Sequence, residues 1–192
     1  MTKVLLHSCC APCSAAILEW LLANDYRPTV LFYNPNIFPE EEYLKRKREI
    51  VNYCAKLGVE IADLDKEEPD WAERHERWLR ESGAASMAEL PERSARCLAC
   101  FKQRLLVTAR YAAEHGFGTF TTTLASSRWK SFEQLCEAGK WAAGQAGGTV
   151  RFWDRNWRKG GLYERRNFLA KQFYNQTWCG CEFSLRNKGE NH

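Results

Sequence analysis

The sequence has no run of 18 or more apolar residues, so no stretch of it is long enough to cross a membrane as a helix. It also has no internal repeat, no low-complexity tract and no linker, which argues against an array or several tethered domains. The N-terminus, Met1–Ser14, holds a single lysine and a very short apolar run. That is too little for a secretory signal, and its cysteines fit one poorly. The expectation is a chain with no membrane partner that stays in the cytoplasm, where structural disulfides rarely persist. The odd cysteine count of nine points the same way. What is present is 192 residues, 45% hydrophobic and 27% charged, the balance of one globular domain over 1–192.

Hydrophobic patterning predicts an α/β fold. Val4-Leu5-Leu6, Val30–Tyr33, Val59–Leu64, Thr119–Leu124 and Thr149–Trp153 read as strands. Between them, helical spacing runs over Ser14–Asn24, from Pro39 to Leu57 with Gly58 as a stop, and from Pro69 through Trp71 and Trp78 to Gly83. Further helices are expected over Leu98–Glu114, Ser131–Gly144 and Tyr163–Phe173, with a loop over Gly83–Arg96. Strands alternating with helices imply a parallel sheet covered on both faces. Ligands in such sheets bind beyond the carboxyl ends of the strands. Cys9-Cys10-Ala11-Pro12-Cys13, Asn34-Pro35-Asn36 and Thr121–Ser127 should therefore share one rim.

Charge is unevenly spread. Residues 60–92 carry eleven acidic and four basic side chains, whereas residues 93–192 carry seventeen basic and seven acidic. A basic half interleaved with Trp129, Trp153, Trp157 and Trp178 suits a nucleic acid, whose phosphates select Lys and Arg and whose unstacked bases select aromatic faces. A solvated surface over core tryptophans would give the same counts. The run Lys45–Arg48 reads as a solvated helix face.

The cysteines cluster. Cys9, Cys10 and Cys13 form one group, Cys97 and Cys100 a second, Cys179 and Cys181 a third. Cys54 and Cys136 stand alone on apolar helical stripes, where a thiol packs as a small hydrophobe. Thiolates at short spacing grip a soft metal from one turn of backbone. Three readings stay open: an iron–sulfur cluster, which takes four thiolates; a structural zinc; and a thiol redox centre at Cys10-Ala11-Pro12-Cys13 between strand and helix.

Taken together, the segments resemble a known family, the cobalamin-independent epoxyqueuosine reductases of the QueH type. The resemblance rests on His7-Ser8-Cys9-Cys10-Ala11-Pro12-Cys13, Tyr33-Asn34-Pro35-Asn36-Ile37, Arg96-Cys97-Leu98-Ala99-Cys100-Phe101 with Arg104-Leu105, and Thr121-Thr122-Thr123-Leu124. Trp157-Arg158-Lys159-Gly160-Gly161 and Gln176 with Cys179-Gly180-Cys181 extend it nearly to the C-terminus. It implies a fold of the PP-loop (HUP, adenine-nucleotide hydrolase) type with the phosphate loop replaced by a cysteine loop. ATP-using members carry a Ser-Gly-Gly loop there; without glycines the backbone cannot cradle phosphate closely, so no ATP is expected.

The implied reaction is the last step of queuosine formation on tRNA with a GUN anticodon, reduction of the epoxide at the wobble nucleoside to an alkene. The resemblance implies no cobalamin and an electron donor that the sequence does not identify. It assigns a [4Fe–4S] cluster to Cys9, Cys10, Cys97 and Cys100. Cys179 and Cys181 then serve as a redox dithiol or as ligands of a second, mononuclear iron, with Cys13 less secure because relatives can carry aspartate there. His7 is a candidate proton donor or a hydrogen-bonded core histidine. Tyr33, Asn34 and Asn36 are candidates for binding substrate hydroxyls or for shaping a turn. Arg128, Lys130, Trp157, Arg158 and Lys159 are the tRNA-contact candidates, with Trp129, Arg155, Arg165 and Arg166 beside them.

Overall fold

A computed structural model of the chain describes residues 1–66 and 70–189. Its core is a sheet built on β1, Thr2–His7, whose last four residues are fully buried. β2 (Tyr26–Leu31), β3 (Glu60–Ala62), β4 (Thr119–Thr122) and β5 (Arg151–Phe152) complete the order β3-β2-β1-β4-β5. All neighbours are parallel, with Leu5 opposite Thr29 on one side and Phe120 on the other. A strand covered on both faces needs an unbroken apolar run rather than alternation, and Val4-Leu5-Leu6 supplies it.

The helices are α1 (Ala11–Ala23), α2 (Glu40–Leu57), α3 (Trp71–Ser82), α4 (Ala95–Glu114), α5 (Phe132–Gln145), α6 (Leu162–Ala170) and α7 (Glu182–Gly189). α1 packs on α2 and α6, while α4 packs on α3 and α5. Right-handed crossovers place the first set on one face of the sheet and the second on the other. The expected parallel α/β architecture is therefore the observed one.

Local chemistry sets the boundaries. α2 opens on Glu40, Glu41 and Glu42, which suit the positive end of a helix, and stops at Gly58 in a left-handed conformation with φ +65°. Asp70 caps α3 by accepting from the Glu73 amide at 3.2 Å. Pro69, expected to open that helix, lies outside the described residues. The strand expected over Thr119–Leu124 ends at Thr122, because the Thr122 hydroxyl accepts the Leu124 amide and turns the chain into one 3₁₀ turn over Thr123–Ser126. α4 begins at Ala95 rather than Leu98, which brings Cys97 inside its first turn. α7 is not anticipated by the sequence pattern.

Gly139 on α5 lies directly against β5: a Cβ there would stand 2.4 Å from the Phe152 ring. An exposed helical Gly→Ala change normally stabilises by about 1 kcal/mol. Here Phe152 is buried and cannot yield cheaply. Overpacking of about 1–3 kcal/mol should win, so Gly139→Ala is expected to lower the midpoint of thermal unfolding by several degrees. A rise in that midpoint would show that α5 and β5 are not in this contact.

The order of the sheet reverses between β1 and β4. β1, β2 and β3 progress one way and β4 and β5 the other, which opens a crevice at the carboxyl ends of the two central strands.

Candidate active site

The loop from β1 to α1 lies in that crevice and is held by the backbone around it. Ser8 donates its amide to Leu31 O at 2.9 Å, the Cys9 amide donates to Thr123 Oγ1 at 3.1 Å, and Asn34 Nδ2 donates to Ser8 O at 2.8 Å. Cys10 is the extended residue preceding α1, and Pro12 fits the first turn, where no amide donor is needed. Cys13 on that turn then comes back beside the loop thiols. Cys9 Sγ and Cys10 Sγ are 3.7 Å apart, and with Cys13 all three sulfurs lie within 4.8 Å of one another. Among the described residues this is the one group of three or more Cys, His, Asp or Glu side chains so placed.

Cys13 is the thiol of the three that ionises first. Hydrogen bonds from Cys10 and Cys9, with the Arg166 guanidinium 3.6 Å away, outweigh burial and hold it well below its ordinary value. Burial, and then the hydrogen bond to Cys13, push Cys10 well up. At Cys9 the Cys10 thiol pulls downward, but the hydrogen bond to Cys13 and burial overcome it and raise Cys9 to about 11. Gln176 Nε2 contacts Cys10 Sγ at 2.8 Å.

A second group forms across the crevice. Cys97 and Cys100 come from the first turns of α4, and Cys179 and Cys181 from the segment before α7. That segment is pinned to the body of the fold. Phe38 donates its amide to Gly180 O at 2.8 Å, and Arg46 Nη1 donates to Cys179 O at 3.2 Å. Gly180 has φ +108°, and a Cβ there would lie 2.8 Å from Arg46 Nη1, so both its backbone and its surroundings require glycine. Cys100 and Cys181 are buried in a small apolar cluster with Trp78, Ala84 and Phe183.

Cys179 carries the charge of this group. The hydrogen bond from Cys181 first, then the Lys130 ammonium at 2.5 Å and Arg104, outweigh burial and hold it well below its ordinary value. Cys97 and Cys100 are raised chiefly by burial, and each feels the charge of Cys179. Cys181 is raised by its hydrogen bond to Cys179 and by burial.

One cavity of about 390 Å³ joins the two groups, with Cys9, Cys13 and Cys179 all on its wall. Asn36, Leu124 and Ser127 line it too, so the three loops expected at one rim do meet there. Its other lining residues include Arg46, Arg104, Lys130, Arg166, Glu92, Trp129 and Trp178. Buried Arg104 donates from Nη2 to Asn34 Oδ1 at 2.5 Å and from Nη1 to Cys100 Sγ at 3.8 Å, while its Nε has no hydrogen-bond partner. Asn36 Oδ1, Arg46 Nη2 and Arg166 Nε are likewise buried without one.

Other expected site residues sit elsewhere. His7 is fully buried and does not line the cavity. Its Nε2 bonds Tyr33 O at 3.1 Å, so that nitrogen is the donor and Nδ1 accepts from the Thr122 hydroxyl at 2.8 Å. Burial and the Arg104 charge lower its pKa to about 3, which leaves a neutral core imidazole bridging β1 and β4. Trp157 is 1% exposed, packed against Trp20 and Trp153 with its indole N–H on Thr121 Oγ1. It is a core side chain, which corrects its reading as a tRNA contact. Arg166 faces Cys13, and Arg165 pairs with Glu19 at 2.8 Å. Arg128, Lys130 and Arg158 border a second, open groove of about 460 Å³ with Arg93 and the start of α5. Lys159 is exposed. Cys54 is fully buried in α2, and Cys136 is half-buried in α5.

The solvated face expected over Lys45–Arg48 holds for Lys45 and Arg48, which are exposed, and is corrected for the two residues between them. Arg46 is 2% exposed and paired with Glu42 at 2.6 Å, and Lys47 bridges Asp63 and Asp65 at 2.6 Å. Arg46 and Glu92 carry no local signal that marks them as site residues; Arg104 and Gln176 were visible only as parts of the family's motifs.

A parallel α/β sheet whose cation-lined crevice brings the Cys9, Cys10 and Cys13 group beside Cys179 defines an α/β protein with a thiol site able to hold a metal. A family model described as Epoxyqueuosine reductase QueH matches residues 4–187. Curated relatives with that name come from Histophilus somni, 43% identical over 96% of this chain and 72% of theirs, and from Haemophilus influenzae, 42% identical over 98% and 74%. One from Thermotoga maritima is 34% identical over 100% of this chain and 95% of its own. The chain belongs to the QueH family of epoxyqueuosine reductases.

Proposed function

We propose that the chain reduces epoxyqueuosine, at the wobble position of tRNA with a GUN anticodon, to queuosine in the cytoplasm. Both C–O bonds of the epoxide break, a C=C bond forms, and the oxygen leaves as water after two electrons and two protons arrive. The electrons come from a donor outside this chain. The single observation that carries the reading is the meeting of Cys9 and Cys13 with Cys179 on one cation-lined cavity, in a chain whose residues 4–187 match the family model of these reductases.

The residues fit an anionic iron–sulfur–thiolate centre. Soft sulfur donors are present in excess of the four that a cluster requires, and the cations around them have buried N–H groups left over for an anion. We assign Cys9, Cys10, Cys97 and Cys100 to a [4Fe–4S] cluster, with Cys13, Cys179 and Cys181 available to a second iron or as a redox dithiol. Such a centre supplies electrons one at a time beside the substrate. A second partition is favoured by the hydrogen bond between Cys179 and Cys181 and by the charge of Cys179 felt at Cys97 and Cys100, which would make those four the cluster ligands and leave Cys9, Cys10 and Cys13 for a single iron.

This chain's own residues do the rest. Arg104, Lys130 and Arg166 keep thiolates charged in a buried site and face the oxygen on which negative charge develops. Arg128, Arg158 and Lys159 offer the tRNA backbone a cationic edge beside the cavity. Iron-loaded protein prepared without oxygen, given a chemical reductant and tRNA bearing epoxyqueuosine, is expected to be brown and to yield queuosine on nucleoside analysis. Conversion by colourless, iron-free protein at the same rate would defeat the proposal.

A further inference from the structure

The thiol cavity is lined by four cationic side chains, Arg46, Arg104, Lys130 and Arg166, and by one acid, Glu92. The cations have an evident use beside thiolates and phosphate. The carboxylate adds to the charge felt by Lys130, but that ammonium already donates to Cys179 at 2.5 Å, and toward an anionic centre or an incoming polyanion the carboxylate is repulsive. Glu92 is nevertheless fixed in place. It lies exposed in the turn before α4, five positions ahead of Cys97, and Ser184 at the start of α7 donates its hydroxyl to Glu92 Oε1. Among the described residues that is its one hydrogen bond, and it forms no salt bridge.

Resting on the function proposed above, we infer that Glu92 binds the secondary ammonium of the substrate and so selects wobble nucleosides that carry an aminomethyl arm. Epoxyqueuosine joins its base to the epoxide-bearing ring through one amine, the group of that nucleoside that is positive at neutral pH. With the epoxide at the thiols, this cation lies one bond outside the ring, toward the opening where Glu92 stands, and the base lies further out. Trp129 lines the same cavity, is 63% exposed and has the Arg128 guanidinium 4.6 Å over its ring, so it offers an aromatic face for that base. The substrate's cation thus meets the cavity's carboxylate.

The test compares wild type with Glu92→Gln on three versions of one tRNA, with epoxyqueuosine, with 7-aminomethyl-7-deazaguanine and with plain guanine at the wobble position. Affinity for the two amine-bearing tRNAs is expected to fall about tenfold, as for loss of a charge-assisted contact, and affinity for the guanine form to stay unchanged. Ser184→Ala, which removes only the support, should give a smaller loss with the same pattern. Equal losses on all three tRNAs would overturn the inference in favour of a merely structural carboxylate, and so would no loss on any. Wild type that binds but does not convert epoxyqueuosine would overturn the proposed activity instead, whatever Glu92 does to binding.

Discussion

Cys97→Ser is expected to lose its acid-labile sulfide and more than about 100-fold in turnover, since even residues that only support a metal ligand cost 10–100-fold. A serine hydroxyl does not ionise at neutral pH and is a hard donor, so it replaces a thiolate poorly on soft iron. Cys54→Ser is the control: that thiol is buried in α2, away from the cavity, and both sulfide and turnover should survive. Cys10→Ser and Cys179→Ser then separate the two partitions. If Cys9, Cys10, Cys97 and Cys100 hold the cluster, Cys10→Ser strips the sulfide and Cys179→Ser retains it. If the four thiols from α4 and the segment before α7 hold it, the outcomes exchange. Both variants lose turnover either way, because both groups face one cavity. Sulfide retained in all three site variants, or absent from wild type prepared without oxygen, would end the cluster assignment.

How far the sequence anticipates the molecule depends on how local each feature is. The thiol segments and the parallel sheet are legible because short motifs and strand–helix alternation are properties of neighbouring residues. The meeting of three loops at one rim also followed, since in a parallel sheet every strand presents its carboxyl end to the same side. Non-local packing was not legible. Trp157 sits in a basic segment and reads as a base-stacking residue, yet its partner Trp20 belongs to α1. Arg46 reads as solvent-facing within Lys45–Arg48, and what buries it is the Cys179-Gly180 backbone, more than 130 residues later in the chain. α7 is eight residues long, too short for its periodicity to stand out.

Arg104→Met should separate stability from function. In wild type the guanidinium is 2% exposed, and among the described residues it forms no salt bridge with a carboxylate. Its partners are Asn34 Oδ1 and the Cys100 thiol, its Nε has none, and the one negative charge it feels, on Cys179, is held chiefly by Cys181 and the Lys130 ammonium. Burying such a cation costs several kcal/mol, against about 1.5–3 kcal/mol returned by a charged hydrogen bond. Met fills similar space without the charge, although it leaves Asn34 Oδ1 without its donor. Relief of the desolvation cost should outweigh that lost bond, so metal-free Arg104→Met is expected to unfold at the wild-type temperature or above it. Loading with iron and sulfide reverses the comparison. An anionic centre gives the cation a fuller counter-charge, and a ligand at free concentration L that binds only the folded state raises stability by RT ln(1 + L/Kd), more the tighter it is held. Wild type should therefore gain several degrees on loading, and the variant little, with turnover lower by more than about 100-fold as for a lost ligand support. Arg104→Lys keeps the charge but lacks the fork that reaches Asn34 and Cys100 together, so it should load partially. A metal-free Met variant that melts well below wild type would mean that Arg104 serves the fold. The reading of this crevice as a cradle for an anion would then lose its main support.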